Sequence, residues 1–175
     1  MNILVTGLAG SGKSAVCDVL RDRGYYALNA DFTRGCCEWI DTNTQQVTHY
    51  DLGEGYGKLM HVAWHWKKSS MVPLLERGMN RPEPRFFDGY AENLQEFYQY
   101  FDKMFLLVAG PATTTRRLLA RTTGDWGKHP DDLRYTIECI APYGAELTAA
   151  GAIVVDAEQS LDTVVAQILN NVSEE

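Results

Sequence analysis

Residues Gly7 to Ser14 read GLAGSGKS, directly after the apolar run Ile3-Leu4-Val5 and before a helical pattern. A GxxxxGK[ST] run between a strand and a helix leaves little choice of fold. The strand must end, and the helix begin, around a loop whose backbone N–H groups converge on phosphate oxygens. Gly7, Gly10 and Gly12 let the chain turn that tightly, with Ser11 and Ala15 completing the cradle. Lys13 supplies a point charge for β- and γ-phosphates, and Ser14 offers a hydroxyl to Mg²⁺. The helix that starts near Lys13 adds the positive end of its dipole beneath the same anions. ATP, or another nucleoside triphosphate, with Mg²⁺ is the expected cargo of this loop.

The chain has 175 residues, enough for one domain spanning 1–175 with a full core. Its hydrophobic content of 45% is ordinary, and no apolar run reaches membrane-spanning length. The phosphate loop begins within the first ten residues, so a signal peptide is not expected and a cytoplasmic address is. Four cysteines (Cys17, Cys36, Cys37 and Cys139) show no CxxC spacing, which argues against a zinc site or a disulfide framework. A net charge of −7 argues against nucleic acid as a partner. The composition leaves a monomer or a homodimer open.

Short β-type runs alternate with helical patterns, which indicates an α/β fold around a parallel sheet. Strands are expected at 2–6, 25–29, 85–88, 103–109 and 152–156. Helices are expected at 13–23, 92–100, 112–121, 131–150 and 161–170. Residues 32–84 interrupt this alternation with turns, a helical pattern over 56–68 and a second helix at about 71–77. An insertion of that length between two strands of a compact sheet usually carries function, here binding of a second substrate.

Several residues outside the loop carry candidate chemistry. Asp88 ends an apolar strand as FFDG, where a carboxylate could serve Mg²⁺ through water or simply form an Asp-Gly turn. Asp31, in LNAD after the second strand, suits either a carboxylate that accepts a proton or a helix N-cap. Arg34 lies three residues on and could hold an anionic group. Arg117 and Arg121 lie four apart, which places both on one helical face, either as ligands of a nucleotide or as solvated charges. Trp64 and Trp66, within Trp64-His65-Trp66, either fill a small core or offer one exposed wall for a ring.

On the GLAGSGKS loop, the RFFDGYAEN segment and the Arg117–Arg121 pair, the chain resembles small P-loop kinases of the adenylate and shikimate type. That resemblance implies a three-layer kinase fold with a five-stranded parallel sheet in the order 2-3-1-4-5. It adds a helical acceptor-binding insertion and a short lid at 122–130. It implies an ATP-dependent phosphotransferase acting on a small-molecule acceptor such as a nucleoside, nucleotide, sugar or hydroxy acid. Arg117 would stack on adenine, Arg121 and Lys128 would reach the transferring phosphates from the lid, and the turn at Asp156 would pass the adenine edge. Asp31 matches an aspartate that handles the acceptor hydroxyl in gluconate-, shikimate- and dephospho-coenzyme-A-type kinases. One departure is plain: Ala91 and Glu92 stand where adenylate kinases carry a proline and a phosphate-gripping arginine. The competing expectation is a nucleotide-binding regulatory module, or a slow NTPase, without a small-molecule acceptor.

Overall fold

The structure, a computed structural model, describes residues 1–49, 61–79, 81–122, 124 and 126–173. The chain runs from β1 (Asn2–Thr6) through α1 (Lys13–Asp22) to β2 (Tyr26–Asn29). Next come β3 (Cys37–Asp41), β4 (Val47–Thr48), β5 (Val62–Trp66) and helix α2 (Lys68–Glu76). β6 (Arg85–Asp88), a 3₁₀ helix (Leu94–Tyr100), β7 (Lys103–Val108) and α3 (Pro111–Ala120) follow. The chain closes with α4 (Pro130–Ala149), β8 (Ile153–Asp156) and α5 (Leu161–Ser173).

Five strands form one sheet in the order β2-β6-β1-β7-β8, all parallel. Counted among themselves they stand 2-3-1-4-5, the order that the resemblance to small P-loop kinases implies. Parallel strands need both faces covered, and the alternation of side chains shows how that is met. Ile3, Val5, Phe86, Phe105 and Leu107 face α1 and α5, where Val16, Leu20, Val165 and Ile168 meet them. Leu4, Phe87 and Leu106 point the other way, onto Met71 and Leu75 of α2, Phe97 of the 3₁₀ helix and Leu147 of α4. The result is three layers, with Asn29, Val5 and Asp88 in register at the carboxyl ends of their strands. Ligands of open α/β sheets bind beyond that edge.

The segment between β2 and β6 departs from the helical expectation. β3 pairs antiparallel with both β4 and β5, forming a separate three-stranded sheet, and within the described residues only α2 is helical there. Residues 62–66, expected to be helical, are the strand VAWHW, whose β-branched and aromatic residues pair from Cys37↔Trp66 to Asp41↔Val62. That pairing joins positions more than twenty residues apart, so the local pattern could not show it. The start of the expected helix, 56–60, lies outside the described residues.

Smaller differences sit at element ends. α2 starts three residues before the expected helix, and the helix expected at 92–100 is a 3₁₀ helix from Leu94. No helix begins at Asp31, so it caps none; the chain turns there instead, and Arg34 is an exposed residue of that turn. α3 stops at Ala120, and Arg121 has extended backbone (φ −71°, ψ 145°), so the two arginines do not share one helical face.

Candidate functional site

The phosphate loop joins β1 to α1, and Gly12 caps the helix in a left-handed conformation (φ 96°) open to few residues besides glycine. α1 begins with no side-chain cap and no acidic residue in its first turn, which leaves its positive end to an outside anion. Lys13 is nearly buried beside it, with its ammonium 3.8 Å from an Asp31 carboxylate oxygen. Ser14 Oγ accepts a hydrogen bond from Asn29 Nδ2 at 3.0 Å, so the end of β2 orients this hydroxyl.

Asp88 stands at the end of β6, only 1% exposed. Neither of its carboxylate oxygens has a hydrogen-bond partner within ordinary distance among the described residues. Burial pushes its pKa up to about 7, against the pull of the Cys17 thiol and the Lys13 ammonium. A buried carboxylate that lacks ordinary hydrogen bonds, with only a thiol and a nearby ammonium to favour its charge, is what a hard cation relieves. The oxygen donors of Asp88 and Ser14 therefore fit Mg²⁺, which is usually held by one or two side chains together with substrate phosphates.

Asp31 lies just past β2, its side chain 19% exposed. The Trp64 indole donates to Oδ1 at 3.3 Å, and the Tyr90 amide to Oδ1 and Oδ2 at 3.1 and 3.2 Å. Burial raises its pKa, while Lys13, the Tyr90 amide and the Trp64 indole oppose that rise. Three elements distant in sequence thus converge on one carboxylate: the phosphate loop, the turn after β6 and strand β5.

Arg117, Arg121 and Lys128, expected to serve the nucleotide, all rest on main-chain carbonyls in this structure. Arg117 reaches the carbonyls of Gly10 and Ser11 (3.3 and 3.2 Å) and of Ala157 (2.8 Å), which ties the phosphate loop to the turn after β8. Arg121 donates to the Trp126 carbonyl at 2.6 Å. Lys128 donates to the carbonyls of Leu119 and Arg121, capping the end of α3. His129 caps α4 by accepting from the Asp131 amide. Asp156 accepts from the Glu158 amide and the Gln159 side chain, forming the turn after β8.

Of the two tryptophans, only Trp64 reaches the site. Trp66 is 1% exposed and packs on Phe97 and Phe101, so it cannot wall a substrate pocket. Residues 64 and 66 of a strand share a face, and both point toward the main body, leaving neither fully exposed. Trp64 meets Trp39 at a tilt (centroids 4.8 Å apart), while Trp39 and Trp126 both pack on Val62. The small sheet therefore touches the loop expected to be a lid.

Sequence reasoning missed Asn29, Thr6, Tyr90 and Tyr143. Asn29, two residues before Asp31 at a strand end, and Tyr90, within RFFDGYAEN, carried faint signals; Thr6 and Tyr143 carried none.

A phosphate loop under a parallel sheet of this order defines a P-loop nucleotide-binding domain. Residues 3–136, more than half of the chain, match the family model described as AAA domain, and the chain belongs to that family. No curated protein matches it. Among solved structures it is similar to deoxyadenosine kinase from M. mycoides with bound dATP, at 18% identity and a TM-score of 0.57. That match covers 99% of this chain and 100% of the other. A gluconokinase from Sinorhizobium meliloti 1021 aligns at 17% identity and TM-score 0.54, over 98% and 91%. Shikimate kinase from Aquifex aeolicus vf5 aligns at 14% and 0.54, over 97% and 95%. The fold is thus that of the small P-loop kinases. No helix among the described residues is long and apolar enough to cross a membrane.

Proposed function

We propose that the protein transfers the γ-phosphoryl group of ATP to a hydroxyl of a small-molecule acceptor. The observation that carries this reading is the placement of Asp31, a partly exposed carboxylate held 3.8 Å from the phosphate-loop lysine by donors from two other elements. Beside a phosphate loop, such a group suits an acceptor O–H that must give up its proton as the oxygen is phosphorylated. A pure nucleotide switch has little use for it.

In this reading the loop amides and Lys13 hold the β- and γ-phosphates, and Ser14 and Asp88 serve Mg²⁺. Mg²⁺, when bound, neutralises charge on the phosphate oxygens. Asp31 orients the acceptor hydroxyl and takes its proton, while the new O–P bond forms and ADP leaves. Arg117 supports the adenine side, beside the turn at Asp156 and Ala157. Arg121 and Lys128 reach the phosphates only by exchanging their present carbonyl partners for them, a rearrangement that suits a closing lid. Trp64 walls the acceptor side. The neighbours' substrates, a nucleoside, a sugar acid and shikimate, frame the candidates, and Glu92 in place of the adenylate-kinase arginine favours an acceptor without a phosphate of its own. A nucleotide-binding module without an acceptor would lack acceptor-dependent turnover. A screen of nucleosides, sugars and hydroxy acids for acceptor-dependent ADP release tests the proposal, and hydrolysis that no acceptor stimulates would refute it.

A further inference from the structure

We propose that Tyr143 of α4 and Thr6 at the end of β1 are positioning residues for Asp31, acting through the peptide plane that joins Gly89 to Tyr90. Their link to turnover rests on the reading of Asp31 as the acceptor carboxylate; the positioning itself does not.

The argument begins with proton accounting. Thr6 is fully buried, and its Oγ1 lies 2.9 Å from the Gly89 carbonyl oxygen. A carbonyl only accepts, so the single hydroxyl proton of Thr6 points there. The Tyr143 Oη is 2.7 Å from the same Oγ1 and must therefore donate to it. Burial raises the Tyr143 pKa well above the ordinary phenol value, which keeps that donor proton in place.

The Gly89 carbonyl and the Tyr90 amide belong to one trans peptide unit, which is planar. Fixing the carbonyl on one side fixes the direction of the N–H on the other. That N–H is the donor shared by both oxygens of Asp31. Phenol, hydroxyl, peptide and carboxylate thus form an unbroken chain in which each donor polarises the next.

Two further contacts hold the turn. The Tyr90 and Tyr143 rings meet at a tilt with centroids 5.4 Å apart, so α4 grips the turn by ring contact as well as through the hydroxyl. At Gly89 a Cβ would stand 3.0 Å from Asp31 Oδ1 and from Trp66 Cζ2, so a side chain there would press on the carboxylate. α4 begins at Pro130, where the expected lid ends. The helix leaving the lid therefore holds the peptide that aims the acceptor carboxylate.

The test uses the full chain with Tyr143→Phe, Thr6→Val, Thr6→Ser and Asp31→Asn. Hydrogen exchange of the Tyr90 amide, followed by NMR, reads the peptide directly and needs no acceptor. Tyr143→Phe and Thr6→Val are expected to speed that exchange about tenfold, the worth of one ordinary hydrogen bond. Thr6→Ser should restore most of the protection lost in Thr6→Val. With any acceptor that supports turnover, kcat should fall about tenfold in the first two variants while KM for ATP stays within about twofold. Wild-type exchange at Tyr90 in Tyr143→Phe overturns the proposal, and so does a fall in kcat that leaves the Tyr90 amide unchanged. Asp31→Asn separates the two readings. If it turns over normally, the base assignment fails while the exchange data still decide the positioning.

Discussion

On the nucleotide side of the cleft, the guanidinium of Arg117 and the ammonium of Lys128 rest on main-chain carbonyls, at Gly10, Ser11 and Ala157 and at Leu119 and Arg121. On the acceptor side, Asp31 is surrounded by donors that point at it: Trp64, the Tyr90 amide and Lys13. A carbonyl is a partial charge, and a phosphate is a better partner for the same cation. The nucleotide side is thus held in a form that a ligand can rearrange. In the proposed reading the acceptor side is already organised before any ligand arrives, which is how electrostatic assistance avoids reorganisation at the moment of reaction.

Lys13 belongs to both halves, so its removal is the hardest blow to that comparison. Lys13→Ala should lower acceptor-dependent turnover by about 10³-fold or more, the upper range for one preorganised donor. Steady-state ADP release checks it; near wild-type transfer would end the kinase reading.

Asp88 comes next, through stability rather than rate. Burial places its carboxyl pKa at about 7 in the folded protein, against 3.8 for an ordinary aspartate. Between those values the native state holds more protons than the unfolded state, so stability should fall as pH rises from about 4 to 7 and level off above. The raised pKa corresponds to of order 4 kcal/mol. In Mg²⁺-free buffer, Asp88→Asn should remove that slope whatever fixed cost the amide brings. Urea melts at about pH 4, 6 and 8 measure it, and parallel pH profiles for the two proteins would show that Asp88 is not buried as described.

Asp31→Asn should reduce acceptor phosphorylation by about 10²-fold with ATP affinity within a few-fold, since asparagine keeps the shape but not the proton-accepting charge. A rate near wild type would move weight to the module without an acceptor. An alternative role as a helix cap no longer competes, because the chain turns at Asp31 without starting a helix.

The two halves also differ in how far the sequence reveals them. The loop, Lys13 and Ser14 are written in eight consecutive residues, and the sheet order came with the kinase resemblance that those residues help to carry. Asp31 could be placed, but not its partners, because Trp64 arrives through antiparallel pairing with β3, and Tyr90 through a turn locked by Thr6 and Tyr143. Trp66 misled because a helical reading of VAWHW separates faces that a strand unites. The arginine pair misled more mildly: a spacing of four implies a common face only while the helix lasts, and α3 ends between the two.

The arginines sharpen the comparison with effects of about tenfold. Arg117→Ala should raise KM for ATP about tenfold and also lower the melting temperature, since it removes two contacts to the phosphate loop and a third to the turn after β8. Arg121→Ala should lower kcat about tenfold with KM for ATP little changed, because its charge matters most as charge develops on the phosphoryl group. Equal losses in both parameters for both variants would dissolve this division of labour.

Lys128 gives the smallest effect and the finest distinction. In the structure it caps α3, a contact of an exposed cation with a helix end that is worth about 0.3–1 kcal/mol. If it remains a cap when nucleotide binds, Lys128→Ala lowers stability by the same amount with and without ATP. If it leaves the carbonyls for a phosphate, the ATP-bound protein loses more than the apoprotein, because the stabilisation that ATP adds grows as its Kd falls. Melts of wild type and Lys128→Ala, each without nucleotide and with saturating ATP·Mg²⁺, form a four-cornered cycle. A coupling of about 1 kcal/mol is the expected result for a lid cation. Zero coupling would leave Lys128 a cap alone and confine the rearrangement of the nucleotide side to the arginines.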